Sequence, residues 1–176
     1  MTRPHRANLG KPLELALNAQ HAKYEREGRA SCMQIPTPYR VLARLDGGTL
    51  KVAYTTTGHP DYAVQAGGVS FLFDAKHTEG DRWPLKDLPP HQAERLERHS
   101  RHGGCSFVLV ELGGVTYLLP WVGPLSERYS AWACGMAKRG EASLTVADCR
   151  DIGTALSGVD WLAEGLALNG QWAPPF

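Results

Sequence analysis

The chain has 176 residues, 43% hydrophobic and 21% charged, with a formal net charge of +1, an ordinary balance for one globular domain with a full core. No apolar run approaches the roughly 18 residues of a membrane span, and the start, M-T-R-P-H-R-A-N, lacks the apolar stretch of a secretory signal, so a cytoplasmic protein without a membrane partner is expected. Cys32, Cys105, Cys134 and Cys149 form no C-x-x-C pair, which favours free thiols over a zinc site or a disulfide framework.

Residues 1–7 are polar and carry Arg3, His5 and Arg6, so they read as a flexible basic arm able to touch phosphate. From Asn8 the spacing turns helical: Leu13, Ala16, Leu17 and Tyr24 recur on one stripe, Asn8 can cap, Pro12 is tolerated in the first turn and Gly28 stops the helix. Glu14 lies one position off the stripe, either a solvated carboxylate at a positive helix end or a group turned toward a metal. Residues 30–35 read as a strand that Pro36-Thr37-Pro38 ends. Residues 39–45 and 49–54 alternate around Asp46-Gly47-Gly48, a strong hairpin signal. Period two puts Arg40, Leu42 and Arg44 on one face of this hairpin and Val41, Ala43 and Leu45 on the other.

Residues 55–59, T-T-T-G-H, lead into Pro60-Asp61, a short strand over 62–64, a turn at Ala66-Gly67-Gly68, and an apolar strand over 69–73 that ends in Asp74-Ala75-Lys76. A polar loop over 77–87 follows, with Arg82, Trp83 and Lys86 available to a nucleic-acid backbone or base. Pro89-Pro90 opens a helix that runs to His102 and places Gln92, Leu96 and His99 on one face. Strands over 105–111 and 115–119, a helix over 126–138, a capping start at Thr145-Val-Ala-Asp148 and a last helix over 159–167 complete an α/β layer fold.

The chemistry concentrates between Gly58 and Gln92. Two carboxylates, Asp61 and Asp74, on neighbouring strands make a hard-oxygen site for Mg²⁺, with Mn²⁺ able to substitute, and Lys76 offers a point charge to a developing phosphoryl oxyanion. An acid-x-Lys triplet arises by chance in roughly every second chain of this composition, so the triplet by itself is equally a solvated strand end. Gln92 reads either as a capping residue or as a group that reaches the metal or its water. Residues 1–60 hold nine Lys or Arg against four Asp or Glu, a net +5, and residues 61–176 hold ten against fourteen, a net −4. That division suits a protein that grips phosphate with one part and a cation with the other. Arg3, Arg6, Lys11, Arg40, Arg44 and Lys51, with Arg82 and Lys86 farther on, are the candidate DNA contacts.

Taken together, these motifs resemble the RecU-like Holliday-junction resolvases, within the nuclease class named for its P-D…(D/E)-x-K motif. The resemblance runs from N-x-G-x-x-L-E (Asn8, Gly10, Leu13, Glu14) and P-T-P (36–38) through D-Y (61–62), F-D-A-K (73–76), W-P-L-K (83–86) and H-Q (91–92) to G-G-C-S-F (103–107) and Y-L-L-P (117–120). It implies a restriction-endonuclease-like core, a mixed central sheet flanked by helices, in a single nuclease domain over 1–176. It implies a homodimeric, Mg²⁺-dependent endonuclease that nicks two opposing strands of a four-way DNA junction. Asp61 and Asp74 match the metal carboxylates, Lys76 the transition-state lysine and Gln92 a further metal-site residue. His59 stands where the family has a threonine at the metal, and Glu14 is a further catalytic candidate acting through water. The hairpin at 39–54 falls where the family has a projecting stalk. The competing readings are a nuclease of the same class acting on linear or flapped DNA and a non-catalytic junction-binding protein.

Overall fold

The computed structural model describes residues 11–54 and 58–169; the expected arm, with Arg3 and Arg6, the start of the N-terminal motif and Thr55 to Thr57 lie outside them. The helix α1 (Lys11–Arg26) buries Leu13, Leu17, His21 and Tyr24, the stripe that the apolar spacing requires. A strand β1 (Ser31–Gln34) leads to the hairpin β2 (Tyr39–Arg44) and β3 (Leu50–Tyr54), which among the described residues pair only with each other. Then come β4 (Tyr62–Ala66), β5 (Val69–Thr78), β6 (Arg82–Pro84), α2 (Pro90–Arg101), β7 (Cys105–Leu112) and β8 (Val115–Pro120). The chain continues through α3 (Pro124–Ala133), β9 (Ser143–Thr145), α4 (Val146–Ile152), β10 (Thr154–Ala155) and α5 (Leu162–Asn169).

Six strands form one mixed sheet in the order β1-β4-β5-β7-β8-β10, in which only β5 and β7 run parallel. The parallel pair needs a crossover, and β6 with α2 supplies it. Because β5 and β7 are covered on both faces, the sheet separates two cores. On one side α1 and α5 cover an aromatic cluster: Phe73 stacks on Phe107 at 4.6 Å and on Tyr62 at 5.1 Å, and Trp161 meets Phe73 edge-on. Within that core His21 accepts from Trp161 Nε1 at 3.1 Å, and burial lowers its pKa to about 4, so it sits there neutral. On the other side α2, α3 and α4 pack Leu96, Leu125, Tyr129 and Cys149 against Val108, Val110 and Leu119.

Four expectations need correction. The stretch 77–87 is not a loop: β5 runs on to Thr78, β6 follows, and Trp83 is fully buried, so it is not available to DNA. Its strand pairs with β9, Trp83 against Leu144, and its indole fills the second core. The helix expected over 126–138 spans Pro124–Ala133, and the last helix starts later, at Leu162. The β2–β3 register slips between Val41 and Ala43, with Leu42 as the extra residue. Cross-strand partners share a face, so Arg40 (opposite Ala53) and Ala43 (opposite Lys51) lie on one side, while Val41 (opposite Val52) and Arg44 (opposite Leu50) lie on the other. The bulge therefore separates the two arginines that simple alternation would place together.

The capping start at Thr145 is present in full. Thr145 Oγ1 accepts from Asp148 N at 3.1 Å, and Asp148 Oδ2 accepts from Thr145 N at 2.7 Å while Oδ1 accepts from Arg128 Nη1 at 2.8 Å. Partial burial works against the charge, yet these donors from Thr145 and Arg128 hold the Asp148 carboxyl at about 2, below its usual 3.8. A depressed folded pKa contributes stability above the unfolded value and loses it as pH falls. Asp148→Ala should accordingly cost about 1–2 kcal/mol at neutral pH, a figure reduced for partial exposure. That cost should shrink between about pH 4 and about pH 2, as urea titrations of both proteins at several pH values would show.

Candidate active site

Alternation along β5 puts Phe71, Phe73 and Ala75 into the aromatic core and Ser70, Leu72, Asp74 and Lys76 on the opposite face, toward α2. β4 enters the sheet directly after Asp61, and Asp61 Oδ2 accepts from Ala75 N at 2.9 Å. The Asp61 carbonyl also accepts from Ile35 N at 2.8 Å. Asp61 is thus fixed at the junction of β1, β4 and β5, beside Asp74. The sheet brings together two carboxylates that are 13 positions apart in sequence.

Asp74 is fully buried. Lys76 Nζ pairs with its Oδ2 at 2.5 Å, and among the described residues neither Asp74 oxygen has a further hydrogen-bond donor. Burial, reinforced by the charge of Asp61 and opposed by Lys76, pushes the Asp74 carboxyl up to about 8. Lys76 also donates to Gln92 Oε1 at 3.2 Å, and Gln92 Nε2 donates to the His59 carbonyl at 3.0 Å. Gln92, nine-tenths buried in the first turn of α2, is therefore not a cap: it fixes the ammonium over Asp74 and ties the main chain before Asp61 to the same frame. Glu14 reaches the site from α1. Burial and the charge of Asp61 raise its pKa, while Lys11 and Lys76 pull it down, so the four groups share one electrostatic neighbourhood.

Two neighbouring carboxylates, one of them fully buried, with a single ammonium in contact leave negative charge that a further cation can meet. Asp74 with Asp61 is an oxygen donor set of the kind that Mg²⁺ and Mn²⁺ take, usually with waters and substrate oxygens completing the shell. Among the described residues no three His, Cys, Asp or Glu side chains cluster as a metal site, and Asp61 and Asp74 are the two carboxylates that the sheet brings together. Gln92 Oε1 accepts from Lys76 and keeps a second lone pair. His59 contributes its carbonyl to the Gln92 bond and also lines a cavity on the far side of Pro60.

Of the candidate DNA contacts, Lys11 is exposed at the start of α1, Arg40, Arg44 and Lys51 are exposed on the β2–β3 hairpin, and Lys86 is exposed in the short turn after β6. Arg82, also exposed, donates to Ser143 Oγ at 3.1 Å. Sequence reasoning missed a second set of cations. Arg95, Arg98 and His102 stand at helical spacing on α2 and line the cavity that His59 borders. The signal was present, since R-x-x-R-H-x-x-H repeats at i, i+3, i+4 and i+7, but a solvated helix face has the same pattern.

The family model for Recombination protein U matches residues 8–151. Three curated relatives, each named Holliday junction resolvase RecU, are similar. The protein of Bacillus pumilus is 30% identical over 120 residues, 65% of this chain and 58% of the relative. That of Geobacillus thermodenitrificans is 33% identical over 122 residues, 64% of this chain and 60% of the relative. That of Streptococcus pneumoniae is 30% identical over 122 residues, 65% of this chain and 62% of the relative. The matches thus span about three-fifths of the relatives' own length. A looser likeness is to the solved structure of Hjc, a Holliday junction resolvase from Archaeoglobus fulgidus, at 12% identity and a TM-score of 0.44, covering 85% of this chain and 94% of that one. With the family model matched from Asn8 to Asp151, across Asp61, Asp74, Lys76 and Gln92, the chain belongs to the RecU family.

Proposed function

We propose that the protein is a structure-selective DNA endonuclease that resolves four-way junctions by phosphodiester hydrolysis, using Asp61 and Asp74 to hold Mg²⁺. The observation that supports this reading best is the fully buried Asp74, in contact with the Lys76 ammonium and beside Asp61. A cation bound there would supply positive charge to the scissile phosphate and acidify water. The chain's own residues do the rest. Asp61, fixed by the Ala75 amide, and Asp74, held rigid by the core, define where the phosphate can approach. Lys76, aimed by Gln92, places a positive charge where negative charge builds on the phosphoryl oxygens. Glu14 acts at one remove, through water. Cleavage leaves a 5′-phosphate and a 3′-hydroxyl. One site cuts one strand, so paired symmetric nicks call for two copies, and the working form is a homodimer in the cytoplasm.

The test is incubation with a labelled four-way junction, a matched linear duplex and a flap, with Mg²⁺ and with EDTA. Metal-dependent, paired nicking of the junction in preference to the other two is expected. Preference for duplex or flap would mark a different nuclease, and binding without cutting an architectural protein. Lys76→Ala should lower the rate on the order of 10²–10³-fold while Mn²⁺ affinity, measured by titration calorimetry, stays within a few-fold. Lost metal affinity with an unchanged rate would reverse the roles of Lys76 and the carboxylates.

A further inference from the structure

We propose that the basic cavity between α2 and the segment before Asp61 is a second phosphate site, which holds a backbone phosphate of the strand being cut, next to the scissile one; the inference rests on the nuclease reading above. The cavity has a volume of about 270 Å³. It is lined by His59, Pro60 and Leu72 and by Arg95, Arg98, His99 and the C-capping His102 of α2. No Asp or Glu lines it, and among the described residues neither Arg95 nor Arg98 pairs with a carboxylate. Two guanidinium groups without a counter-charge at a concave surface are a fork for phosphate oxygens.

Position ties the cavity to the reaction. Leu72 is on the same face of β5 as Asp74, two residues away, which is about 7 Å along a strand. His59 and Pro60 run directly into Asp61. A DNA strand carries a charge roughly every 3.4 Å of helix axis, so a phosphate seated at Asp61 and Asp74 brings its neighbours within reach of Arg95 and Arg98. None of the four α2 residues contributes to the carboxylate site itself.

His99 shapes the cavity and adds no charge. Ser106 Oγ donates to the Leu96 carbonyl at 2.9 Å, which leaves it to accept from His99 Nδ1 at 2.9 Å, and His99 Nε2 then accepts from Ser70 Oγ at 3.0 Å. Both ring nitrogens are engaged in the neutral form, and burial lowers the His99 pKa. A Cβ on Gly104 would overlap the imidazole, so glycine there is what lets the ring stand in this position.

The test uses the full chain with Arg95→Gln and Arg98→Gln together, and Arg95→Lys with Arg98→Lys as the charge-conserving partner, after thermal unfolding has shown that both fold. Binding to a four-way junction and to a linear duplex is followed by fluorescence anisotropy with Ca²⁺ across a salt series. The Gln pair should lose affinity for both DNAs alike and flatten the slope of log K against log salt by about two. The Lys pair should keep the slope and lose part of the affinity. Single methylphosphonates flanking the scissile position locate the contact: one of them should weaken the wild-type protein and have no added effect on the Gln pair. An unchanged slope, or a methylphosphonate effect of equal size in both proteins, overturns the cavity assignment alone. Wild-type protein that neither binds nor cuts any of the DNAs overturns the nuclease reading and the cavity with it.

Discussion

Replacing Asp74 by Asn should abolish cleavage, by at least about 10³-fold, and leave junction binding without metal equal or tighter. The carboxyl is fully buried, with the Lys76 ammonium 2.5 Å from Oδ2 and Asp61 beside it, so on ionising it adds negative charge where a phosphate must approach unless a metal meets it. Asparagine keeps the shape and removes the charge. A metal there would lose one of two carboxylates and an approaching phosphate would lose a negative neighbour, with the fold retained in EDTA. Activity lost while binding and fold are retained excludes simple unfolding as the cause. A gel shift with binding lost, or cleavage at the wild-type rate, would remove Asp74 from the site.

Much of this site was legible in the sequence because its parts are local. The run Val69 to Phe73 with alternate burial, closed by Asp74-Ala75-Lys76, fixes which side chains leave the core, and the turn at Gly67-Gly68 fixes the antiparallel partner that carries Asp61. The capping box at Thr145 and Asp148 is equally local. What could not be read depended on pairing partners far away in the chain. Trp83 sits in a polar stretch, and its burial follows from a strand pairing with Leu144, 61 positions later. The place of Gln92 on α2 was legible, but its role depends on the Lys76 ammonium and the His59 carbonyl, brought together by three separate elements. The bulge at Leu42 has no glycine or proline to announce it, so alternation alone places Arg44 on the wrong side of its hairpin.

That bulge sharpens the other large effect to be expected, the one that separates a junction resolvase from a general nuclease. Among the described residues the β2–β3 hairpin pairs with no other strand, and every residue of β2 is exposed. One of its faces carries Arg40 and Lys51 among small residues; the other carries Arg44 among Tyr39, Val41, Leu50 and Val52, all of them exposed. If the hairpin enters the open centre of a four-way junction, the Arg40 and Lys51 face meets phosphates from more than one arm, a density that a linear duplex does not present. Arg40→Ala with Lys51→Ala should then weaken junction binding on the order of tenfold or more at moderate salt and flatten its salt slope by about two, with duplex binding almost unchanged. Arg44→Ala should remove about one unit of slope at most, since it acts from the opposite side. The carboxylate site is built from other elements, so the cleavage rate of DNA already bound should persist in both variants. The contrast with the α2 cavity is the diagnostic: Arg95 and Arg98 should matter equally on junction and duplex, Arg40 and Lys51 on the junction alone. Equal losses on both DNAs from the hairpin variants would reduce the hairpin to a general phosphate contact, and no loss on either would show its cations to be only a solvated face.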